Sequence, residues 1–419
     1  MLVSHWNQVR LKLALLLAIH SAMCCVSLIY RAPYHAFHIF YDVRGLHSAI
    51  AIVATFSVVA LLFVFSEFSF GYFVGFYFYT MILGYLWLSP FSDLLYNHQL
   101  AELSAAASAV TFLMPTLLIS SPLNRRFEIT EYTFERLLTL ILLLAVGTIV
   151  AGAAYNFRAI SFSEIYEFRD DIRMPRLLLY LIGMTSNALL PFAFACFVTR
   201  RAWRRAGACL LLLLLFYPIT LSKLAFFAPV WLIAITLLSK WSEARTAVIL
   251  SLLLPLVVGV SIIVFVPRYA IPYFQLVNFR MIAIPSVAMD VYNDFFAHHD
   301  LTYFCQISLT KSILPCPYDK PLSVIMLEAY GIGNFNASLF ATEGIASVGP
   351  WLAPVSALVC GLVLALGNRA SSGLPPRLIL ISAGVLPQVF LNVPFTTVLV
   401  THGAAVMFLL WYITPRQSS

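Results

Sequence analysis

Twelve apolar runs, most of them close to the ~20 residues that carry an α-helix across the hydrocarbon core of a bilayer, decide what this chain can become. They fall at roughly 12–30, 48–65, 69–89, 101–120, 137–154, 177–198, 206–222, 224–239, 246–266, 347–366, 377–394 and 397–413. Hydrophobic residues make up 61% of the 419-residue chain and charged residues 10%, with a mean hydropathy of +0.91. No water-soluble fold hides that much apolar side chain beneath so small a polar surface. The expectation is an all-α, polytopic transmembrane bundle of about 12 spans (11–13), one integral membrane domain over 1–419. The runs around 206–239 and 377–413 are the least regular, because Pro218, Pro229, Pro387 and Pro394 break helices or make re-entrant hairpins.

The charges give an independent reading of topology. The first run follows Arg10 and Lys12 and has no small-residue cleavage site, so it reads as a retained signal anchor with the N-terminus in the cytoplasm. Alternation then places fourteen Lys and Arg in cytoplasmic segments, from Arg10 to Arg416, against seven in short outward ones. That is the positive-inside bias. The Thr-Arg-Arg-Ala-Trp-Arg-Arg turn at 199–205 is the firmest cytoplasmic anchor. Both termini are expected inside. The basic excess therefore orients a membrane protein, and a nucleic-acid partner is not expected.

Two outward segments are longer than turns: 155–176 and 267–346. Long loops in compact proteins tend to carry function. Within the second, Pro285 to Asp300 places Val287, Ala288, Val291, Tyr292, Phe295 and Phe296 on one helical face, opposite Asp290, Asn293, Asp294 and His298. The pattern predicts a helix lying flat at the interface. Without two matching halves, an inverted-repeat transporter is disfavoured.

Candidate chemistry gathers in the same segments. Arg169, Arg173, Lys223, Arg268 and Arg280 are the cations available near an outward mouth, and planar guanidinium forks suit phosphate. Local ion pairing or snorkelling to the interface explains the same residues without a ligand. Tyr269, Tyr273 and Tyr292 offer aromatic faces for a sugar ring, or an interfacial belt. His298 is a candidate base because histidine titrates near neutrality, with Glu328, Glu343 and Asp42 as alternatives. A solvated loop tip accounts for His298 and His299 equally well. Cys305 and Cys316 lie in a polar stretch, where a disulfide would contribute roughly 3 kcal/mol by the chain-entropy model and free thiols are the alternative. No cysteine or histidine spacing suggests a metal, and no cofactor is expected.

Four stretches then carry a resemblance: FRDDIRMPR at 168–176, LSKLAFFAPVWLIAI at 221–235, PRYAIPYFQLVNFR at 267–280 and NASLFATEGIASVGPWLAPV at 336–355. In layout the chain resembles bacterial oligosaccharide repeat-unit polymerases of the Wzy (O-antigen polymerase) type, over most of its length but without a specific signature. The resemblance implies a metal-independent transfer outside the bacterial cytoplasmic membrane, joining a growing glycan to a polyprenyl-pyrophosphate-linked oligosaccharide. A chain-length regulator and a flippase of the same pathway would be partners, beside the lipid bilayer. Cations would stabilise the pyrophosphate leaving group, and a base would take the proton of the attacking hydroxyl. An O-antigen ligase would use the same equipment. A transporter or flippase of lipid-linked glycans is the leading non-enzyme alternative, and a membrane sensor or assembly subunit is a third reading.

Overall fold

In lipid every backbone N–H and C=O must be satisfied within the protein, which restricts a chain this apolar to helices or closed barrels. The computed structural model takes the helical solution. It describes residues 2–31, 38–124, 126–127, 129–158, 160, 168, 172–307, 310, 313–332, 335 and 340–416, and among these there is no strand. Ten of the described helices are long and apolar enough to cross a membrane. Nine come first: α1 (Gln8–Tyr30), α2 (Val43–Phe65), α3 (Phe70–Phe91), α4 (His98–Leu118), α5 (Glu131–Ala153), α6 (Arg176–Thr199), α7 (Trp203–Thr220), α8 (Lys223–Trp241) and α9 (Ala244–Phe265). Then follow α10 (Pro267–Leu276), a π-helical turn (Phe279–Ala283), α11 (Ile284–His298) and α12 (Leu322–Tyr330). The tenth long helix is α13 (Thr342–Ser371).

The last two expected spans differ from the other ten. Residues 376–413 form four short helices, α14 (Pro376–Ser382), α15 (Leu386–Phe390), α16 (Phe395–Val400) and α17 (Ala404–Ile413). Pro387 and Pro394 interrupt the ladder, and Gly403 adopts a left-handed φ of 79° that ends α16 from α17. Freed backbone groups find partners: the Trp231 indole donates to the Gly384 carbonyl at 2.8 Å.

The chain divides into two compact units, 1–119 with 248–365 and 390–395, and 120–247 with 366–389 and 396–419. In the first, α3 is the axis. Every residue of Phe70–Leu88 is buried, and α1, α2, α4 and α11 pack around it. Helix starts in this unit are capped from side chains: Asp42 accepts from the Gly45 N–H at 2.6 Å, Ser69 from Tyr72 at 3.0 Å and Asn97 from Leu100 at 3.0 Å. Each satisfies an amide that would otherwise lack a partner at a helix end.

In the second unit, one end is a belt of charge. Arg200 pairs with Glu131 at 2.8 Å and with Glu135, and Arg205 reaches Glu135 at 3.1 Å. Arg369 Nε donates to the Ser121 carbonyl, the Arg126 N–H to the Tyr412 hydroxyl and Arg416 to the Ala370 carbonyl. Segments 121–135, 199–205, 369–370 and 412–416 therefore share one end of this unit, as the alternation of spans requires. At another position, the Arg158 N–H and Asn156 Nδ2 both reach the Pro218 carbonyl, bringing together two segments expected on the opposite side.

Candidate functional site

The long segment after α9 is where most candidate residues fall, and its first half is not a surface loop. Helix α10 turns back along α9: the Tyr273 hydroxyl donates to the Pro255 carbonyl at 3.1 Å. Pro255 lies ten residues, roughly 15 Å, from the Phe265 end of that helix. At the tip, Asn278 donates to Ser27 Oγ of α1 at 3.0 Å and to the Leu256 carbonyl at 3.3 Å. Gly259 makes this approach possible, since a Cβ there would lie 1.8 Å from Asn278 Oδ1. The chain then climbs along α3 through the π turn and α11. Ser286 Oγ donates to the Met81 carbonyl, and a Cβ on Gly84 would meet Ser286 Oγ at 2.2 Å.

This arrangement corrects the expectation of a flat interfacial helix over Pro285–Asp300. The helix is present, but protein encloses both its faces: Asp290 and Asn293 are buried along with Val287, Val291, Tyr292, Phe295 and Phe296. Ser286, Asp290 and Asn293 stand at i, i+4 and i+7, one stripe of the helix. An amphipathic pattern cannot tell a polar face turned to water from one turned to polar protein.

The stripe ends in a carboxylate-centred network. Asp290 accepts from Ser92 Oγ at 2.7 Å and from the Tyr96 hydroxyl. Tyr85 lies 3.2 Å behind Tyr96, and Asn293 contacts the Tyr85 hydroxyl in turn. One turn on, Asp294 accepts from the Leu95 N–H at 2.8 Å and the Tyr330 hydroxyl at 2.6 Å. His38 presents its ring edge-on to Tyr330, with Nδ1 3.9 Å from Asp93. Burial pushes the Asp290 carboxyl from its ordinary 3.8 to about 6, against the pull of the two hydroxyl donors and His98. Burial also lowers His38 and raises Tyr96 and Tyr330, the last with a further push from Asp294. Segments 38–42, 91–98 and 290–330 thus meet at one end of the unit, the three that alternation assigns to a common side.

The candidate residues distribute as follows. Arg268 is exposed in the first turn of α10, and Arg280 is exposed in the π turn just past the hairpin tip. Eighteen residues of nearly continuous helix separate Arg280 from His298, roughly 27 Å at 1.5 Å per residue. One phosphate and one attacking hydroxyl cannot reach both. His298 closes α11 with Nδ1 2.9 Å from the Asp294 carbonyl, which leaves Nε2 as the basic nitrogen. His299 stacks on Phe295 at 3.9 Å. Glu328 is exposed and paired with Lys320 at 2.6 Å. Glu343, near the start of α13, accepts the Phe395 N–H at 3.2 Å. Asp42 is the helix cap already described. Tyr273 is held by its carbonyl partner. Tyr292 is 1% exposed, so it has no face to offer a sugar, which corrects its assignment. The side chain of Tyr269 and the whole of Arg169 lie outside the described residues. In the second unit, Arg173 is exposed ahead of α6 and Lys223 is half-buried at the start of α8. Cys305 and Cys316 are joined by a disulfide across a Cα–Cα distance of 5.3 Å. No group of three or more His, Cys, Asp or Glu able to hold a metal occurs among the described residues.

What sequence reasoning missed was the partner set of Asp290, namely Ser92 and Tyr96, with Tyr85 behind Tyr96. The available signal was Ser286, which extends the polar stripe inward beyond any turn that water could reach. Comparison of the chain with models of protein families, with curated proteins and with solved structures found no match.

Proposed function

We propose that the chain is a membrane glycosyltransferase that polymerises polyprenyl-pyrophosphate-linked oligosaccharide repeat units outside a bacterial cytoplasmic membrane, both termini being cytoplasmic. The observation that carries this reading is Arg280. Its side chain is exposed just past a hairpin tip that touches Ser27, in the last turn of α1, and Leu256, nine residues inside the Phe265 end of α9. A cation at that depth is costly in hydrocarbon, and it persists where it lines a polar cavity or meets an anion. A diphosphate borne on a lipid is an anion delivered at the boundary of the apolar layer, and the planar fork fits its oxygens.

In the transfer, the acceptor hydroxyl attacks C1 of the donor sugar, the C1–O bond to pyrophosphate breaks, and negative charge develops on the departing phosphate. Arg280, with Arg268 on the preceding helix, stabilises that charge as it forms. The hydroxyl proton goes to a base within hydrogen-bond reach. His298 is excluded from that role if Arg280 holds the leaving group, because of the spacing along α11. The outer end of α11 suits the glycan instead, since several sugar units extend outward from the lipid over His298, Asp294 and Tyr330. A chain-length regulator and a flippase would be the natural partners of this activity.

The test is glycan chain length in cells carrying Arg280→Ala or Arg280→Lys at normal protein levels. Collapse to single repeat units with alanine and partial recovery with lysine are expected. Polymers of unchanged length in the alanine variant would remove Arg280 from the site and the reading with it. A second reading, a transporter of lipid-linked glycans, draws support from one feature of the other unit. There a π-helical turn at Thr185–Leu189 interrupts α6, and Gly403, at the break between α16 and α17, packs against Met184 and Ala188. Discontinuous helices at membrane depth are common in transport sites. Movement of labelled lipid-linked glycan across vesicles containing only this chain would favour it.

A further inference from the structure

The second half of the long segment carries a surface that glycan transfer does not use. Its root is fixed to α13: the Thr302 N–H donates to the Ala346 carbonyl at 2.8 Å and the Tyr303 N–H to Ser347 at 3.1 Å. The Thr302 and Ser347 hydroxyls meet at 3.0 Å. From this root the chain turns sharply, with left-handed φ values of 47° at Tyr303 and 61° at Phe304, and closes into a knot. Thr310 Oγ1 donates to the Phe304 carbonyl, the Ile313 and Leu314 N–H groups both donate to the Thr310 carbonyl at 2.9 Å, and the Cys305–Cys316 disulfide closes the base. Cys305 is buried within, whereas Ile313 is 78% exposed, Tyr303 65% and Leu314 39%. Three apolar side chains therefore stand out from one small cross-linked unit.

The root also lies close to a landmark on α13. Ser347 precedes Trp351 by only four residues, across a break in the helix where Gly349 takes a left-handed φ of 72°, and Trp351 is 78% exposed. Below it runs an exposed apolar stripe, Leu352, Val355, Val359, Leu362 and Leu366, the surface that a spanning helix turns to lipid. An exposed tryptophan heading such a stripe marks the boundary between hydrocarbon and headgroups. Tyr303 is hydrogen-bonded to Ser347, just ahead of the Gly349 break that precedes Trp351, and Ile313 and Leu314 are tied to Tyr303's neighbour through Thr310.

We propose that the disulfide-closed knot is a lipid-interface anchor: it rests on the headgroup layer where α13 enters the bilayer, with Tyr303, Ile313 and Leu314 reaching the acyl boundary. The occupant of this surface is the leaflet itself, because the knot is rooted within five residues of the exposed tryptophan that heads the lipid-facing stripe. The inference is independent of what reaction the chain performs.

The five unpaired cysteines Cys24, Cys25, Cys196, Cys209 and Cys360 are buried, so an introduced cysteine can be labelled selectively. The full chain carrying Ile313→Cys with a bimane label is placed in phosphatidylcholine vesicles, with and without brominated acyl chains. Asp319→Cys, exposed just outside the disulfide, is the reference. Emission at 313 is expected to be roughly halved by brominated lipid and shielded from aqueous iodide, and emission at 319 to behave in the opposite way. Quenching at 313 by iodide but not by brominated lipid would overturn the proposal by placing the knot in water. Shielding from both would overturn it in favour of a protein partner or a second copy. Tyr303→Cys provides the same readout should the 313 variant fail to insert.

Discussion

Two acidic centres in this chain do opposite things with the same functional group. Asp290 is enclosed and meets only neutral donors, Ser92 and Tyr96. Glu135 is 40% exposed and meets two arginines, Arg200 and Arg205. Burial disfavours the ionised form more than the two hydroxyls and nearby His98 favour it, and raises the carboxyl to about 6, while the open belt gains little because solvent and salt screen it. A carboxylate that costs this much to bury is retained for geometry: it fastens the outer end of α11 to the 91–97 turn, and with it the hairpin that carries Arg280.

The comparison is broken most readily at Asp290. Asp290→Ala removes the acceptor that the Ser92 and Tyr96 hydroxyls share, leaves a void in a buried stripe and is expected to destabilise by about 3 kcal/mol. Thermal unfolding in detergent measures it, and a change near zero would mean that the network holds nothing. Gly84→Val attacks the same helix from α3, one turn before Asp290, where a Cβ would meet Ser286 Oγ at 2.2 Å. Overpacking of this kind costs about 2 kcal/mol, and faster proteolysis within 267–298 is the expected signature.

The third outcome concerns pH. Because the folded state raises the Asp290 pKa from 3.8 to about 6, folding favours the protonated carboxyl. Its contribution is full below pH 4 and is lost as pH rises through 6. Stability is expected to fall by about 1 kcal/mol between pH 5 and pH 7, and Asp290→Asn should flatten that part of the profile. A wild-type curve parallel to that of the asparagine variant would refute the buried-acid account. The smallest effect belongs to the other centre. Arg205→Ala, which removes an exposed contact of 3.1 Å, should cost less than about 1 kcal/mol and less still at high salt. A loss as large as that of Asp290→Ala would erase the contrast.

Much of the fold was legible because lipid leaves a chain few options. Ten of the twelve apolar runs correspond to helices long enough to cross a membrane, and the cationic 199–205 turn shares an end of its unit with other segments assigned to the same side. Residues 376–413 were harder to read, since hydropathy registers composition but not the breaks at Pro387, Pro394 and Gly403. The site was less legible than the fold. Arg268 and Arg280 were singled out by type and are exposed, yet the separation of Arg280 from His298 depends on α11 being continuous. Tyr292 was singled out as an aromatic face and is buried, because periodicity groups residues by face without saying what that face meets.

By itself the sequence determined the solvent, the helical class and the alternation of sides, because each follows from the free energy of placing apolar and charged groups in lipid and does not need to know which helix neighbours which. Only the tertiary structure decided that the segment after α9 folds back as a hairpin, that Asp290 faces hydroxyls rather than water, and that Arg280 lies far from His298. Those features depend on close approach at Gly84 and Gly259, contacts between residues remote in the chain that no local pattern encodes.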